Sequence, residues 1–406
     1  MSRLGAAFVG LALACSSGSA VAADFTFDGF ADLRAVIPSE EVGWVEGGLG
    51  KTRYGSTSQS PSLQLGEITG QATVLVSGSL TAVAVARIEP EQRTLFDVTE
   101  AFLRYRPVSL GNWRWSVRAG AFFPPISLEN TELGWASPWT LTPSAINSWV
   151  GEELRTIGGE GALEWRTAER TISANAALFA WNDPTGILLA DRGWALHDRV
   201  TGLIDRPRLP DVFARARGEP IPYRTWEFLE IDDRAGWYAG VSWNEHAWGK
   251  IEVLRYDNQA NPQKRRIQIA WETDFWNIGL STHLGPFVVL AQGMSGKTFI
   301  KPSPTFYSDT DFDSAYVLAG LDLFDWRFAT RFDVFSTEEH RPGTALRLSE
   351  HGNAVTLAAN WLPNDWLRVT AEVLRVDSTR AQRTLDGLPA GAVEHQFQLS
   401  TKIFLD

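Results

Sequence analysis

The chain has 406 residues, of which 44% are hydrophobic and 21% are charged, a balance that is ordinary for a globular protein. The formal net charge of −11 argues against a nucleic-acid-binding protein, because contacts with phosphates need a basic surface. The single cysteine excludes a disulfide framework and a metal site built from cysteines.

A cleaved export signal is predicted at residues 1–23. Arg3 precedes a short apolar run that ends at Cys15, and the small residues that follow fit a cleavage site. The apolar run is too short to span a bilayer. Residues 24–406 are therefore expected to form the mature protein as a single domain.

Alternation of apolar and polar residues with a period of two is the main pattern in the rest of the chain. No stretch approaches the roughly 18 consecutive apolar residues of a membrane helix. The alternation predicts sixteen strands, at 25–36, 63–76, 79–88, 95–106, 112–122, 154–165, 169–180, 235–244, 248–257, 267–284, 286–298, 313–324, 325–336, 352–361, 365–376 and 393–405.

The connections between these strands alternate between short and long. Turn-like connections lie at 77–79, 107–111, 244–248, 285–286 and 362–365. Long connections lie at 37–62, 123–153, 181–234, 299–312, 337–351 and 377–392, whereas two connections in the same alternating positions, 89–94 and 258–266, are shorter. Barrels of bacterial outer membranes have this asymmetry, with short periplasmic turns and longer extracellular loops. The sequence therefore predicts an all-β fold, a transmembrane antiparallel β-barrel of about sixteen strands with both termini in the periplasm.

The stretch "WRWSVRAGAFF" at 113–123 indicates which solvent each face of a strand meets. Trp113, Trp115 and Val117 share one face, and Arg114 and Arg118 share the other. We expect the apolar row to face lipid and the arginines to face a water-filled lumen. Tryptophans close to short turns support this interpretation, because barrels place aromatic rings at the membrane interfaces. They are Trp113, Trp165, Trp248, Trp326, Trp361 and Trp366.

Charged residues on the inward rows are the candidate pore-lining residues. A barrel of sixteen strands leaves an aqueous channel, whose lumen positions here carry both signs of charge. The wall candidates are Arg104, Arg114, Arg118, Arg327, Arg331, Asp333 and Arg368. A loop must narrow such a channel, and 123–153 carries four glutamates: Glu129, Glu132, Glu152 and Glu153.

The motifs "EAFLRYRP" and "VRAGAFFPPISLEN", within Glu100 to Glu160, resemble the fourth and fifth strands and the third loop of Gram-negative porins. Within that family they are most similar to the phosphate-selective porins. The resemblance implies a passive diffusion channel for small hydrophilic solutes or ions in the outer membrane, in contact with lipopolysaccharide and assembled as a homotrimer. It also implies that 123–153 folds inward as a constriction loop. Glu129 and Glu132 would then face Arg104, Arg114 and Arg118.

The connection 181–234 is far longer than an ordinary loop and mixes arginines with aspartates. A short helix over or in the pore mouth is expected within it. Its function is either that of an electropositive funnel for anionic solutes, or that of a salt-bridged lid or of a contact with lipopolysaccharide and neighbouring subunits.

Two other classes of protein stay open. One is a non-conducting outer-membrane barrel, an adhesin or scaffold whose lumen is filled by 123–153 and 181–234. The other is a secreted β-rich carbohydrate-active protein, in which tryptophans stack on sugars. We expect no enzymatic activity, because no nucleophile motif occurs. We also expect no metal or other cofactor, because the six histidines have no metal-ligand spacing.

Overall fold

The computed structural model describes residues 24–405 except 219–220, 222 and 343–347. These residues form a closed barrel of sixteen antiparallel strands, in which each strand pairs with its neighbours in the chain and β1 (Asp24–Ile37) closes the barrel against β16 (Gly391–Leu405). The predicted fold class is confirmed. The predicted export signal at 1–23 lies outside the described residues.

All sixteen predicted strands are present, with shifted ends. The fourteen between β1 and β16 are β2 (Ser62–Ser77), β3 (Leu80–Ile88), β4 (Phe96–Tyr105), β5 (Trp113–Phe122), β6 (Thr156–Arg166), β7 (Arg170–Ala180), β8 (Gly236–Glu245), β9 (Gly249–Asp257), β10 (Glu272–Leu284), β11 (Phe287–Ser303), β12 (Phe306–Leu323), β13 (Trp326–His340), β14 (Glu350–Asn364) and β15 (Leu367–Arg380).

The main error in the predicted strands concerns the connection between β11 and β12. A long loop was expected at 299–312, but the two strands continue to a tight turn, with Ser303 paired to Phe306. Prolines at 302 and 304 suggested a loop because proline donates no hydrogen bond to a strand ladder. A shift of register between Ile300 and Ser303 accommodates Pro302, so that pairing resumes beyond it.

The two faces of the strands meet different surroundings, as the alternation predicted. On β5, Trp113, Trp115 and Val117 are exposed on the outer face, whereas Arg114 and Arg118 point inward and are half-buried. Tryptophans near the short turns pair across neighbouring strands. Trp113 lies opposite Trp165, and the rings of Trp326 and Trp361 stack with their centroids 6.4 Å apart. The outer face therefore carries the aromatic residues typical of a membrane interface.

In the described residues, the long connections contain three α-helices: α1 (Ala145–Glu153), α2 (Ile187–Asp191) and α3 (Asp211–Arg217). Every residue of α1 and α2 is buried, because both helices lie inside the barrel. Short 3-10 helices occupy Trp44–Glu46 and Ala381–Asp386. Among the residues that the structure describes, no helix is long and apolar enough to cross a membrane.

Candidate constriction in the barrel lumen

Loop 123–155 enters the barrel and reaches the opposite wall. The backbone N–H groups of Leu141 and Thr142 donate to the carboxylate of Glu372 on β15, at 2.6 and 3.1 Å from Oε2. Asn360 on β14 donates through its side-chain amide to the carbonyl of Trp139 at 2.9 Å. Since each of these wall residues is buried, the loop contacts the opposite wall inside the barrel.

Arg331 on β13 is the main attachment point of this loop. Its guanidinium donates to Asp333 at 2.8 Å and to Glu129 at 3.3 Å. It also donates to the carbonyls of Thr142 and Pro143, at 2.7 and 2.9 Å. The side chains of Arg331, Asp333 and Glu129 are fully buried. Arginine suits this position because its planar guanidinium has five N–H donors in a fixed geometry and can donate to several acceptors at once.

Glu129 and Glu132 both pair with arginines, but not with the predicted ones. Glu132 accepts two hydrogen bonds from Arg368 on β15, at 2.6 and 2.8 Å. Burial would raise the pKa of Glu132, but the Arg368 guanidinium lowers it. The expected pairing with Arg104, Arg114 and Arg118 is wrong in its partners, because the loop crosses to β13 and β15 instead of folding back on β4 and β5.

The three arginines of β4 and β5 line the lumen on the side of the short turns. Arg104 lies directly opposite Arg118 in the strand register. Arg118 forms a bidentate pair with Glu160 on β6, at 2.7 and 3.1 Å. Arg104 and Arg114 are half-buried and form no ion pair with any residue in the described part of the chain. The lumen on the side of the short turns, which we call the vestibule, therefore carries uncompensated positive charge.

Arg327 lies beside the inward loop near the same end of the barrel. Its guanidinium donates to Asp322 at 2.6 Å and to the carbonyl of Pro138 at 3.3 Å. It also lies 4.7 Å from the centre of the Trp139 ring, a cation–π distance. All nine predicted site residues thus point into the lumen, and the loop gathers Glu129, Glu132, Arg327, Arg331, Asp333 and Arg368 on one side.

Segment 181–235, between β7 and β8, also enters the barrel and packs on α1. Trp149 of α1 contacts Trp194 of the segment and two wall rings, Phe275 and Phe312, with ring centroids 5.4 to 6.0 Å apart. All four rings are buried. An apolar core therefore fills one side of the lumen and contains two of the 18 tryptophans.

Glu152 of α1 joins the two inward segments by charge. It accepts two hydrogen bonds from Arg192, at 2.6 and 3.1 Å, and its Oε2 lies 3.0 Å from Nε2 of His197. Burial alone would raise the pKa of Glu152, but Arg192 and His197 lower it to about 2. Glu152 is therefore ionised at neutral pH.

A second charged network, on the β1–β3 side of the lumen, was only partly anticipated by the sequence. Asp198 accepts from Arg34 at 2.5 Å and from Arg53 at 2.9 Å. Burial opposes ionisation of Asp198, but the two guanidinium groups hold its pKa well below its usual value. The inward row of β1 predicts Arg34 as a lumen residue. Arg53 and Asp198 lie in loops without periodicity, so no sequence signal marks them.

A narrow cavity remains between loop 123–155 and this network. Its volume is about 10 Å³, close to the minimum that holds one water molecule. Charged side chains of both signs line it: Arg34, Glu67, Arg87, Asp198, Arg368 and Lys402. This cavity is therefore lined by polar and charged groups and has room for at most one water molecule.

One group of carboxylates has the spacing of metal ligands. Within the described residues, Asp183, Glu230 and Asp232 are the single set of three whose ligand atoms lie within 4.8 Å of one another. Burial and the neighbouring Glu230 and Asp232 raise the pKa of Asp183 to about 7. These residues lie at the two ends of segment 181–235, outside the lumen constriction.

No family model and no curated protein sequence matches the chain. Solved structures do match. The outer membrane channel DcaP of Acinetobacter baumannii has a TM-score of 0.54 at 11% identity, over 94% of this chain and 97% of that one. In-vitro folded OmpT of Vibrio cholerae has a TM-score of 0.53 at 9% identity, over 95% and 98%.

Salmonella typhi OmpF, in complex with daunomycin, has a TM-score of 0.51 at 9% identity, over 94% of this chain and 97% of that one. At such identities the likeness establishes the fold alone. The chain has the barrel fold of Gram-negative outer-membrane porins.

Proposed function

We propose that the protein is an outer-membrane porin that lets small hydrophilic solutes or ions diffuse passively. The observation that carries this proposal is the loop 123–155, which lies inside a closed sixteen-strand barrel with Glu129 and Glu132 paired to wall arginines. The Glu132–Arg368 pair keeps partial contact with solvent, as do charged side chains that line a water-filled passage.

The charge distribution supports a preference for anions. Arg104 and Arg114 face the periplasmic vestibule without a carboxylate partner in the described residues. Nearby acidic groups of the wall are already paired, Glu160 with Arg118 and Glu164 with Arg166. Rings of uncompensated cations favour anion entry into a narrow passage. We therefore propose anionic solutes, in agreement with the resemblance to phosphate-selective porins.

The alternative is a barrel that does not conduct. It is supported by the same inward segments, because the cavity between loop 123–155 and the Arg34–Asp198 network has a volume of only about 10 Å³. In that case the extracellular ends of loop 123–155 and segment 181–235 would serve adhesion or scaffolding.

The proposed location is the outer membrane, with export through a cleaved signal at 1–23. The outer belt of exposed apolar residues on β5 and β13 supports contact with lipid. We further propose contact with lipopolysaccharide at the extracellular loops and a homotrimeric assembly. A trimer form is described for OmpT of Vibrio cholerae.

Single-channel conductance in a planar bilayer, combined with the reversal potential under a salt gradient, tests the proposal. We expect discrete conductance steps and a reversal potential of the sign given by anion preference. The matched variants Arg104→Gln and Arg375→Gln each remove one positive charge, the first from the vestibule and the second from the outer face. Arg375 pairs with Asp377 on the outside of the barrel. Only the first should move the reversal potential towards cations. A refolded barrel without conductance steps would favour the scaffold.

A further inference from the structure

A groove opens on the outside of the barrel at the end that carries the long connections. It lies between connection 38–61, helix α3 and the connection from β15 to β16, and its volume is about 570 Å³. The apolar residues that line it include Val42, Leu388 and Val393, all of which are exposed. Val393 belongs to the outward row of β16, so the groove faces sideways, away from the lumen.

The rim of this groove is acidic. Among the described residues, five carboxylates and two arginines line it; the carboxylates are Glu40, Glu41, Glu46, Asp211 and Asp386. Arg383 is shared by Glu41 and the buried Glu394. Glu40 pairs with the half-exposed ring of His395 at 3.1 Å. Glu46 is exposed and forms no ion pair within the described chain. Uncompensated negative charge therefore lies beside the apolar lining.

The connection 258–271, between β9 and β10, carries the opposite charge at its tip. Lys264, Arg265, Arg266 and Ile267 are exposed, and Ile267 has 68% of its surface free. Arg266 pairs with Asp233 at 2.8 Å, whereas Lys264 and Arg265 form no ion pair with any residue that the structure describes. The Arg266 N–H donates to the carbonyl of Gln268 at 3.0 Å and closes a tight turn. The tip, 264–267, thus places an apolar side chain next to free cations, the complement of the groove.

The tip and the groove lie at the same end of the barrel but on opposite walls. The tip follows β9 and the groove borders β1 and β16. Strands β2–β8 lie between these sites in one direction around the barrel, and β11–β15 in the other. A tip therefore cannot enter the groove of its own chain. Two barrels that lie side by side in one membrane, in the same orientation, turn the tip of one copy towards the groove of the next.

We propose that the basic tip 264–267 of one copy docks in the acidic groove of a second copy, so that barrels associate in rows within the membrane. The contact is heterologous, and because its two surfaces lie on opposite walls, it does not close into a ring. It differs from the homotrimer, since each subunit of a closed ring of three turns both contact surfaces towards the ring's centre. The inference goes beyond the proposed channel and does not depend on conduction.

Charge favours a second copy over the other occupants of this groove. The phosphate groups of lipopolysaccharide would meet Glu40 and Glu46, and like charges across an interface are costly. A symmetric contact of the groove with itself would bring the same carboxylates together. The tip of a second copy instead brings Lys264 and Arg265 to the acidic rim and Ile267 to the apolar lining.

Disulfide cross-linking tests the contact between copies. The full chain with Cys15→Ser, Ile267→Cys and Leu388→Cys is refolded into phospholipid vesicles without lipopolysaccharide and then oxidised. We expect a ladder of cross-linked products that continues beyond the trimer, because each copy offers one thiol at the tip and one in the groove. A mixture of the two single-cysteine variants should stop at the dimer. Ile204→Cys with Leu388→Cys is the control for random collision, since Ile204 is 72% exposed on another connection. It should cross-link at least about tenfold more slowly.

Charge reversal in the same cysteine background tests the chemistry of the contact. One variant carries Glu40→Lys and Glu46→Lys in the groove, and the other carries Lys264→Glu and Arg265→Glu at the tip. All four side chains are exposed. Each variant alone should cross-link at least about tenfold more slowly than the parent, because like charges then meet. An equal mixture of the two should recover the ladder, since each reversed surface then finds its complement on the other variant.

The double variant Glu169→Lys with Glu338→Lys makes the same change of net charge away from the groove and should leave the ladder unchanged. A ladder that neither charge reversal weakens would overturn the proposal, and so would one that ends at the trimer. Loss of the ladder when lipopolysaccharide is added to the vesicles would also overturn it, because lipid would then occupy the groove.

Single-channel conductance of the same variants separates this inference from the proposed function. If the ladder forms while conductance steps are absent, the contact exists between barrels that are not channels. If conductance steps are present and no ladder forms, the channel stands and the contact is wrong.

Discussion

Glu129 and Arg331 join the inward loop to the barrel wall although 202 positions separate them in the chain, with Oε2 and Nη1 3.3 Å apart. Both side chains are fully buried, and Asp333 completes the network on the same wall strand. Taking such charges out of water is costly, so the network holds together only while every member keeps its partner.

Replacement of Arg331 by alanine should therefore destabilise the barrel and free the loop. The change leaves Glu129 and Asp333 buried without a cation, and removal of one partner from a buried pair costs about 3–5 kcal/mol. The free energy of unfolding in urea, followed by circular dichroism and by gel mobility, measures the loss. Arg375→Ala is the control, since Arg375 forms a half-exposed pair with Asp377. Similar losses for both variants would contradict the role given to Arg331.

The selectivity of the passage should depend on Glu132. The variant Glu132→Gln removes one negative charge and leaves the Arg368 guanidinium uncompensated at the narrow cavity. We expect the reversal potential to shift further towards anions, because an unpaired cation in a narrow wet passage raises anion occupancy. Glu169→Gln, in the exposed short turn between β6 and β7, changes the net charge equally and should leave the potential unchanged. A shift of the reversal potential of equal size in both variants would show that the effect comes from the net charge alone.

The strands were predictable because a barrel wall repeats one physical constraint. Each strand alternates between lipid and lumen, so Trp113, Val117 and Arg118 could be assigned to the correct faces from their spacing. The extension of β11 and β12 into a long hairpin was not predicted, because Pro302 suggested a loop. Pro302 lies in a bulge, where the strand ladder needs no N–H donor.

The ion pairs of the lumen were less predictable than the strands. Side chains of the inward loop have no period, and their partners depend on where the loop crosses the closed barrel. Glu132 and Arg368 were each predicted as pore residues, but their contact spans 236 positions and no local pattern encodes it. Burial of a whole segment, such as that around Asp198, leaves no sequence signal either, because its charges resemble those of a solvated loop.

Acid should loosen the junction between α1 and segment 181–235. Arg192 and His197 hold the pKa of Glu152 at about 2, below the ordinary value of 4.5. A carboxylate with a lowered pKa stabilises the fold above the ordinary value, and this contribution is lost as the pH falls through about 2. The contribution at neutral pH is on the order of 3 kcal/mol.

Urea unfolding between about pH 2 and pH 6 measures this dependence. The variant Glu152→Gln should be less stable than the parent near neutral pH and should lose less stability on acidification. Glu169→Gln should follow the parent curve. Parallel curves for the parent and Glu152→Gln would mean that Glu152 has an ordinary pKa in the folded barrel.

The two faces of β5 should respond in opposite ways to a new charge. Val117 is exposed on the outer face, and the neighbouring Ser116 points into the lumen beside Arg114 and Arg118. If the outer face meets hydrocarbon, Val117→Arg should cost about 2–4 kcal/mol when the residue lies near the bilayer midplane. Ser116→Arg places the same side chain among water-facing arginines and should change stability by less than about 1 kcal/mol, while moving the reversal potential towards anions. Folding into lipid vesicles measures both costs. An outer arginine that is tolerated as well as the inner one would exclude lipid from this face and favour the secreted carbohydrate-active protein.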